Sequence, residues 1–159
     1  LQKGVDGALW RDRSHFHVTL GFFGEIAEPV AAELDAEIGE LSSPQFDLEI
    51  EGVGWFGRKE PSSLFATVKR SEVLDQLASD CRKAAARIGV SPDAKPFKPH
   101  ITLAYLNNVS LEAAMAWSER WQVLRAGPWT ADRFHLYESI PREGKKSIYE
   151  AVADYPLGV

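Results

Sequence analysis

Two short stretches of this sequence carry one pattern, His17-Val18-Thr19-Leu20 and His100-Ile101-Thr102-Leu103, and each sits in an alternating run. In the first run His15, His17, Thr19 and Gly21 alternate with Phe16, Val18, Leu20 and Phe22; in the second, His100 and Thr102 alternate with Ile101 and Leu103. Strict alternation is the period of a strand with one face on a core. The sequence therefore predicts two strands, over His15–Phe22 and His100–Tyr105, each turning His and Thr to the same polar face. A duplicated strand with a like polar face further predicts two related lobes that face each other across a cleft.

Two imidazoles and two hydroxyls in one cleft suit displacement at a phosphodiester. That reaction needs a base at the attacking oxygen and an acid at the leaving oxygen. Imidazole titrates near neutrality, so one ring can be neutral while the other is protonated. Threonine hydroxyls can donate to the non-bridging oxygens as charge builds there. One His-x-Thr on a strand is weak support, since most such histidines are ordinary surface or core residues. Two copies that both keep the apolar alternation are a stronger signal.

The rest of the chain supplies a frame. Glu28–Leu41 reads as an amphipathic helix through Val30, Leu34, Ile38 and Leu41. Ser71–Ile88 reads as a helix with Ser71 as N-cap and Gly89 as its stop, and another helix starts after Ser110. Gln45–Phe56 and Ser63–Lys69 read as strands joined by a turn through Gly57–Pro61, with late strands over Trp129–Ile140 and Ser147–Val152. This mixture lacks regular βαβ alternation and points to an α+β fold with antiparallel sheets.

Composition narrows the class. At 159 residues, with 45% hydrophobic and 26% charged residues, the chain suits one globular domain over 1–159. A net charge of −5 argues against a broad basic face for duplex nucleic acid, though not against a local phosphate pocket. Uncharged runs such as Phe16–Gly24 fall far short of the roughly 18 residues that cross a membrane. The single cysteine, Cys81, has no disulfide partner within the chain and reads as a buried small hydrophobe. No signal-type segment stands at the start, so a cytoplasmic monomer is expected.

At the paired motifs the chain resembles the two-histidine (2H) phosphoesterase superfamily, and within it the RNA 2′,3′-cyclic phosphodiesterase or 2′-5′ RNA ligase branch. The likeness extends to Gly52-Val53-Gly54-Trp55-Phe56, to Leu64-Phe65-Ala66, to Lys95-Pro96-Phe97-Lys98-Pro99 before the second motif, and to Phe134–Ser139 with Tyr149. It implies a bilobal fold of two antiparallel sheets flanked by helices, with a central groove. It also implies His17 and His100 as the catalytic pair and Thr19 and Thr102 as phosphate-binding residues, without metal or other cofactor. The implied reaction opens an RNA-terminal 2′,3′-cyclic phosphate to a 2′-phosphate, with His17 as the acid at the 3′ oxygen and His100 as the base. Joining ends through a 2′-5′ linkage would use the same groups.

Two departures stand out. Relatives often carry an arginine just after the second motif, where this chain has Tyr105, which simple alternation puts on the face opposite His100. The resemblance also implies an N-terminal strand and helix before the Trp10 segment, which are expected to be missing here, and Leu1 is not a methionine.

Other residues are open to two accounts. Arg58, Lys59 and Lys98 are candidate phosphate-attracting cations, with Arg58 and Lys98 taken as substrate-binding; solvated loop charge is the competing account. Arg142, Lys145 and Lys146 read as a solubilising turn, and His15 as a residue at the rim of the groove. His135 reads as structural. Phe22, Phe23, Trp55 and Phe56 read mostly as core, with a base-stacking role for one of them as the alternative. The expected partners are RNA ends or small nucleotides. A phosphodiesterase of small cyclic nucleotides or 2′-5′ oligonucleotides and a non-catalytic nucleotide- or RNA-binding module are the competing functions, the second favoured by the loss of arginine at 105.

Overall fold

A computed structural model describes residues 1–2, 4–142 and 145–158, with no side chains described for 141–147. The basic turn of Arg142, Lys145 and Lys146 therefore lies outside the described side chains. The fold is α+β with two antiparallel sheets and flanking helices. The chain forms two compact units of interleaved segments: Leu1–Thr19, Leu48–Arg70 and Lys98–Trp129 in one; Leu20–Asp47, Ser71–Phe97 and Thr130–Val159 in the other. Among the described residues no helix is long and apolar enough to cross a membrane.

The first unit is built on a five-stranded sheet. Its strands are β1 (Ala8–Trp10), β2 (Phe46–Phe56), β3 (Ser63–Val68), β4 (His100–Leu106) and β5 (Arg125–Ala131), in the order β1-β4-β3-β2-β5. The β2–β3 turn depends on Gly57, at φ +97°, where a Cβ would sit 2.0 Å from the Glu60 carbonyl oxygen. One face of this sheet is apolar. Leu64 and Ala66 on β3 oppose Ala104 and Ile101 on β4, and Trp10 opposes Ala104. The Trp10 ring in turn meets Trp117 of the helix Leu111–Trp121 at 6.2 Å. Ser110 caps that helix by accepting the Ala113 N–H, as expected.

The β3–β4 ladder contains an irregularity that matters for function. Thr67 pairs with His100 and Phe65 with Thr102, but Leu64 then pairs with Ala104 and Ser63 with Tyr105. One extra β4 residue, Leu103, is thus accommodated between Thr102 and Ala104. Such a bulge resets the alternation: Leu103 and Ala104 are both buried, and Tyr105 joins the face of Phe65, Thr102 and His100. Simple alternation put Tyr105 on the opposite face, and the bulge is the reason it lies elsewhere.

The second unit pairs the hairpin β6 (Arg133–Arg142) and β7 (Lys145–Pro156) with helices α1 (Glu28–Gly39) and α2 (Glu72–Arg87); the helix Leu111–Trp121 is α3. Leu34 and Ile38 of α1 share a core with Leu77, Cys81, Ala84 and Ala85 of α2, with Phe134 and Tyr155 of the hairpin, and with Leu157 just after it. Burial pushes the Cys81 thiol up to about 12, so it serves as core and not as a nucleophile. Ser71 caps α2 by accepting the Leu74 N–H at 3.2 Å. Ser71→Ala is expected to cost about 1 kcal/mol in denaturant unfolding, and no change would show that the cap is not needed.

Four expectations are corrected. His15–Phe22 is not a regular strand: Asp12 caps a 3-10 turn over Arg13–His15, accepting the Ser14 N–H and hydroxyl, and only Val18 makes a sheet-type bridge. Trp129–Ile140 is not one strand, because β5 ends at Ala131 and β6 begins at Arg133 in the other sheet. The two motifs do not come from two lobes, since His17, Thr19, His100 and Thr102 all belong to the first unit. Phe22 is also exposed rather than core.

Candidate active site

The two motifs meet through a single antiparallel bridge between Val18 and Ile101. Opposed residues of an antiparallel pair share a face, and their neighbours take the other. Val18 and Ile101 thus turn one way, while His17 lies toward Thr102 and Thr19 toward His100. The bridge acts as a local two-fold axis relating the motifs, so a duplication read in the sequence becomes a crossing within one unit.

The same symmetry holds at each ring. His17 Nδ1–H donates to the His15 carbonyl at 2.9 Å, and His100 Nδ1–H donates to the Lys98 carbonyl at 2.6 Å. A carbonyl only accepts, so each bond puts the neutral ring's proton on Nδ1 and its lone pair on Nε2. His15 contributes this carbonyl from its 3-10 turn, and its own side chain is exposed. The His17 pKa is lowered, chiefly by burial and then by the charges of Arg11, His100 and His15, with the His15 hydrogen bond opposing the shift.

The surroundings of the two rings differ. Phe56 and Phe65 present their rings to His100 at 4.9 and 5.3 Å, both in edge-to-face geometry. The Lys98 ammonium stands over the same rings, 5.1 Å from Phe56 and 4.7 Å from Phe65, which brings this predicted cation into the His100 cluster. Arg58 sits in the exposed turn two residues after Phe56 and joins no such contact. A shallow cavity of about 230 Å³ beside Lys98 is lined in part by Gly54, Phe65 and Thr67. A larger cavity, about 600 Å³, lies in the second unit against Glu72, Asp75 and Asp80, a lining that repels an anion. His135 also lies in that unit, paired with Asp154 at 3.1 Å. Among the described residues no three His, Cys, Asp or Glu side chains stand close enough to hold a metal ion.

Sequence reasoning missed Phe65 as a wall for His100 and Arg11 as a neighbour of His17. The alternation of β3 puts Phe65 and Thr67 on one face, but only the pairing of β3 with β4 shows which residues share it.

The sequence model of the 2'-5' RNA ligase superfamily matches residues 5–141, which include both motifs and every strand of the first unit. The chain belongs to this superfamily. Among curated relatives, the RNA 2′,3′-cyclic phosphodiesterase of Aeropyrum pernix is 30% identical over 145 residues, covering 87% of this chain and 82% of the relative. The protein of that name from Geobacillus stearothermophilus is 29% identical over 163 residues, covering 93% of this chain and 47% of the relative. Crystal structures of E. coli LigT share the fold of this chain. The apo form has a TM-score of 0.74 at 24% identity, covering 97% of this chain and 83% of that one. The complex with 3′-AMP gives 0.73 at 24%, covering 96% and 82%.

Proposed function

We propose that this protein opens RNA-terminal 2′,3′-cyclic phosphates to 2′-phosphates, with His17 and His100 as the proton-transfer pair. The Val18–Ile101 crossing carries the reading, because it brings two Nδ1-held imidazoles and two threonines together about a local two-fold axis. Such an arrangement fits displacement at phosphorus, where attacking and leaving oxygens lie on opposite sides. The names of the relatives from Aeropyrum and Geobacillus support the same substrate.

In this scheme a water oxygen attacks phosphorus and loses its proton to Nε2 of His100. The bond from phosphorus to the 3′ oxygen breaks, and that oxygen takes the proton from Nε2 of His17. Thr19 and Thr102 donate to the non-bridging oxygens, and Lys98 and Arg58 attract the anionic end. Every proton moves through an imidazole, so the scheme needs no metal. A ribose 5′-hydroxyl in place of water would give a 2′-5′ linkage through the same steps.

His17 enters this scheme as the acid, yet burial first and the Arg11 charge after it lower its pKa and disfavour the protonated ring. A bound phosphate offsets both effects, so binding near pH 7 should draw a proton onto His17. The binding enthalpy of adenosine 2′-monophosphate is expected to vary with buffer ionisation enthalpy in the sense of proton uptake, and to lose that dependence in His17→Ala. Uptake unchanged in that variant would reverse the acid and base assignments.

The reaction itself is tested with a short RNA ending in a 2′,3′-cyclic phosphate in excess EDTA. A 2′-phosphate product, absent with His100→Ala, is the expected result. A 3′-phosphate, or turnover abolished by EDTA and restored by a divalent ion, would overturn the scheme.

A further inference from the structure

The face that carries the histidines holds a cation that neither motif announces. Arg11 follows β1, and its N–H donates to the Leu103 carbonyl at 2.9 Å, extending the β1–β4 ladder past Trp10. Leu9 opposes Tyr105, so alternation turns Arg11 to the face of Leu9 and Tyr105, which the bulge makes the face of His100 and Thr102. There Nη1 donates to the Tyr105 hydroxyl at 3.0 Å, and the guanidinium carbon stands 5.5 Å from the centre of the Tyr105 ring.

This cation is poorly compensated. None of the ion pairs among the described residues involves Arg11, and its Nε is buried without a hydrogen-bond partner. Arg87 and Arg133, by contrast, each hold a carboxylate. A half-buried charge that meets a phenol and no carboxylate is costly unless an anion completes it. The charge of Arg11 is felt at His17, where it adds to burial in lowering the imidazole pKa.

We propose that the Arg11 guanidinium binds the non-bridging oxygens of the substrate phosphate, and that Tyr105 is the positioning residue holding it on the histidine face. A guanidinium offers planar paired donors that match a phosphate edge. The Tyr105 hydroxyl takes one Nη1–H and the ring supports the plane, which leaves the other Nη1–H and the Nη2–H groups to meet the anion. This inference rests on the phosphodiesterase reading for its substrate, but its binding test does not need turnover.

The test measures adenosine 2′-monophosphate binding by calorimetry, with NMR titration of the His17 ring, in wild type, Arg11→Gln, Arg11→Lys and Tyr105→Phe. A charge-assisted contact corresponds to roughly 10–100-fold in affinity. Arg11→Gln is expected to lose that much and to raise the His17 pKa, because a positive neighbour has gone. Arg11→Lys should keep the low His17 pKa and part of the affinity, and Tyr105→Phe should fall between it and wild type. Affinity within twofold of wild type in Arg11→Gln overturns the proposal. So does an Arg11→Lys variant as weak as Arg11→Gln, because retained charge would then make no difference; the Lys and Phe variants carry the test should the Gln variant not fold. Turnover is read separately. Wild type that fails to open a cyclic phosphate yet binds the monophosphate through Arg11 removes the hydrolase reading and leaves this one standing.

Discussion

Replacing His17 or His100 by alanine is expected to lower kcat/KM on a 2′,3′-cyclic phosphate by roughly 10²–10⁴, the usual cost of one lost proton-transfer group. The loss should be of similar size at either position, because each ring carries one of the two proton transfers. Thr19→Val and Thr102→Val should each cost less than either histidine, since a hydroxyl stabilises charge without carrying the proton. The pH profile should be a bell whose limbs disappear one at a time in the two histidine variants. Full activity in either variant, or a flat profile from about pH 5 to about pH 9, would rule out the paired scheme.

Phe65→Ala is expected to have the largest effect on stability, about 3–5 kcal/mol in denaturant unfolding. The ring is 2% exposed and packs against Phe56 at 4.5 Å. Gly54 lies opposite it on β2, and a Cβ there would come within 2.7 Å of the ring's tip, so the sheet is shaped around this side chain. Because His100 and Lys98 both rest on the ring, Phe65→Ala should also lower kcat/KM under conditions where the variant remains folded. Phe65→Leu should recover most of the stability and less of the activity. A loss below about 1 kcal/mol for Phe65→Ala would mean that the site collapses around the void and that the ring is not a structural wall.

Much of this was readable in the amino-acid order. α2 and α3 begin at Ser71 and Ser110 as their caps predict, and the alternation of β4 forecasts the shared face of His100 and Thr102. What could not be read follows from pairing. The first motif alternates as a strand would, yet Asp12 draws the chain into a turn and leaves Val18 its only bridge. Tyr105 was assigned to the wrong face because one accommodated residue, Leu103, shifts the pleat without marking the sequence. The resemblance implies an arginine at position 105. The chain has Tyr105 there, and Arg11, just after the neighbouring strand β1, donates to its hydroxyl.

The acceptors that orient the two imidazoles are main-chain carbonyls, of His15 and Lys98. In a catalytic triad the orienting partner is a side chain, and a single codon change can delete it. Here no substitution at 15 or 98 removes the acceptor, since every amino acid supplies the same oxygen. The tautomers are inherited with the path of the backbone, so a side-chain change at 15 or 98 leaves the rings oriented, and at 98 it removes only the cation that Lys98 adds.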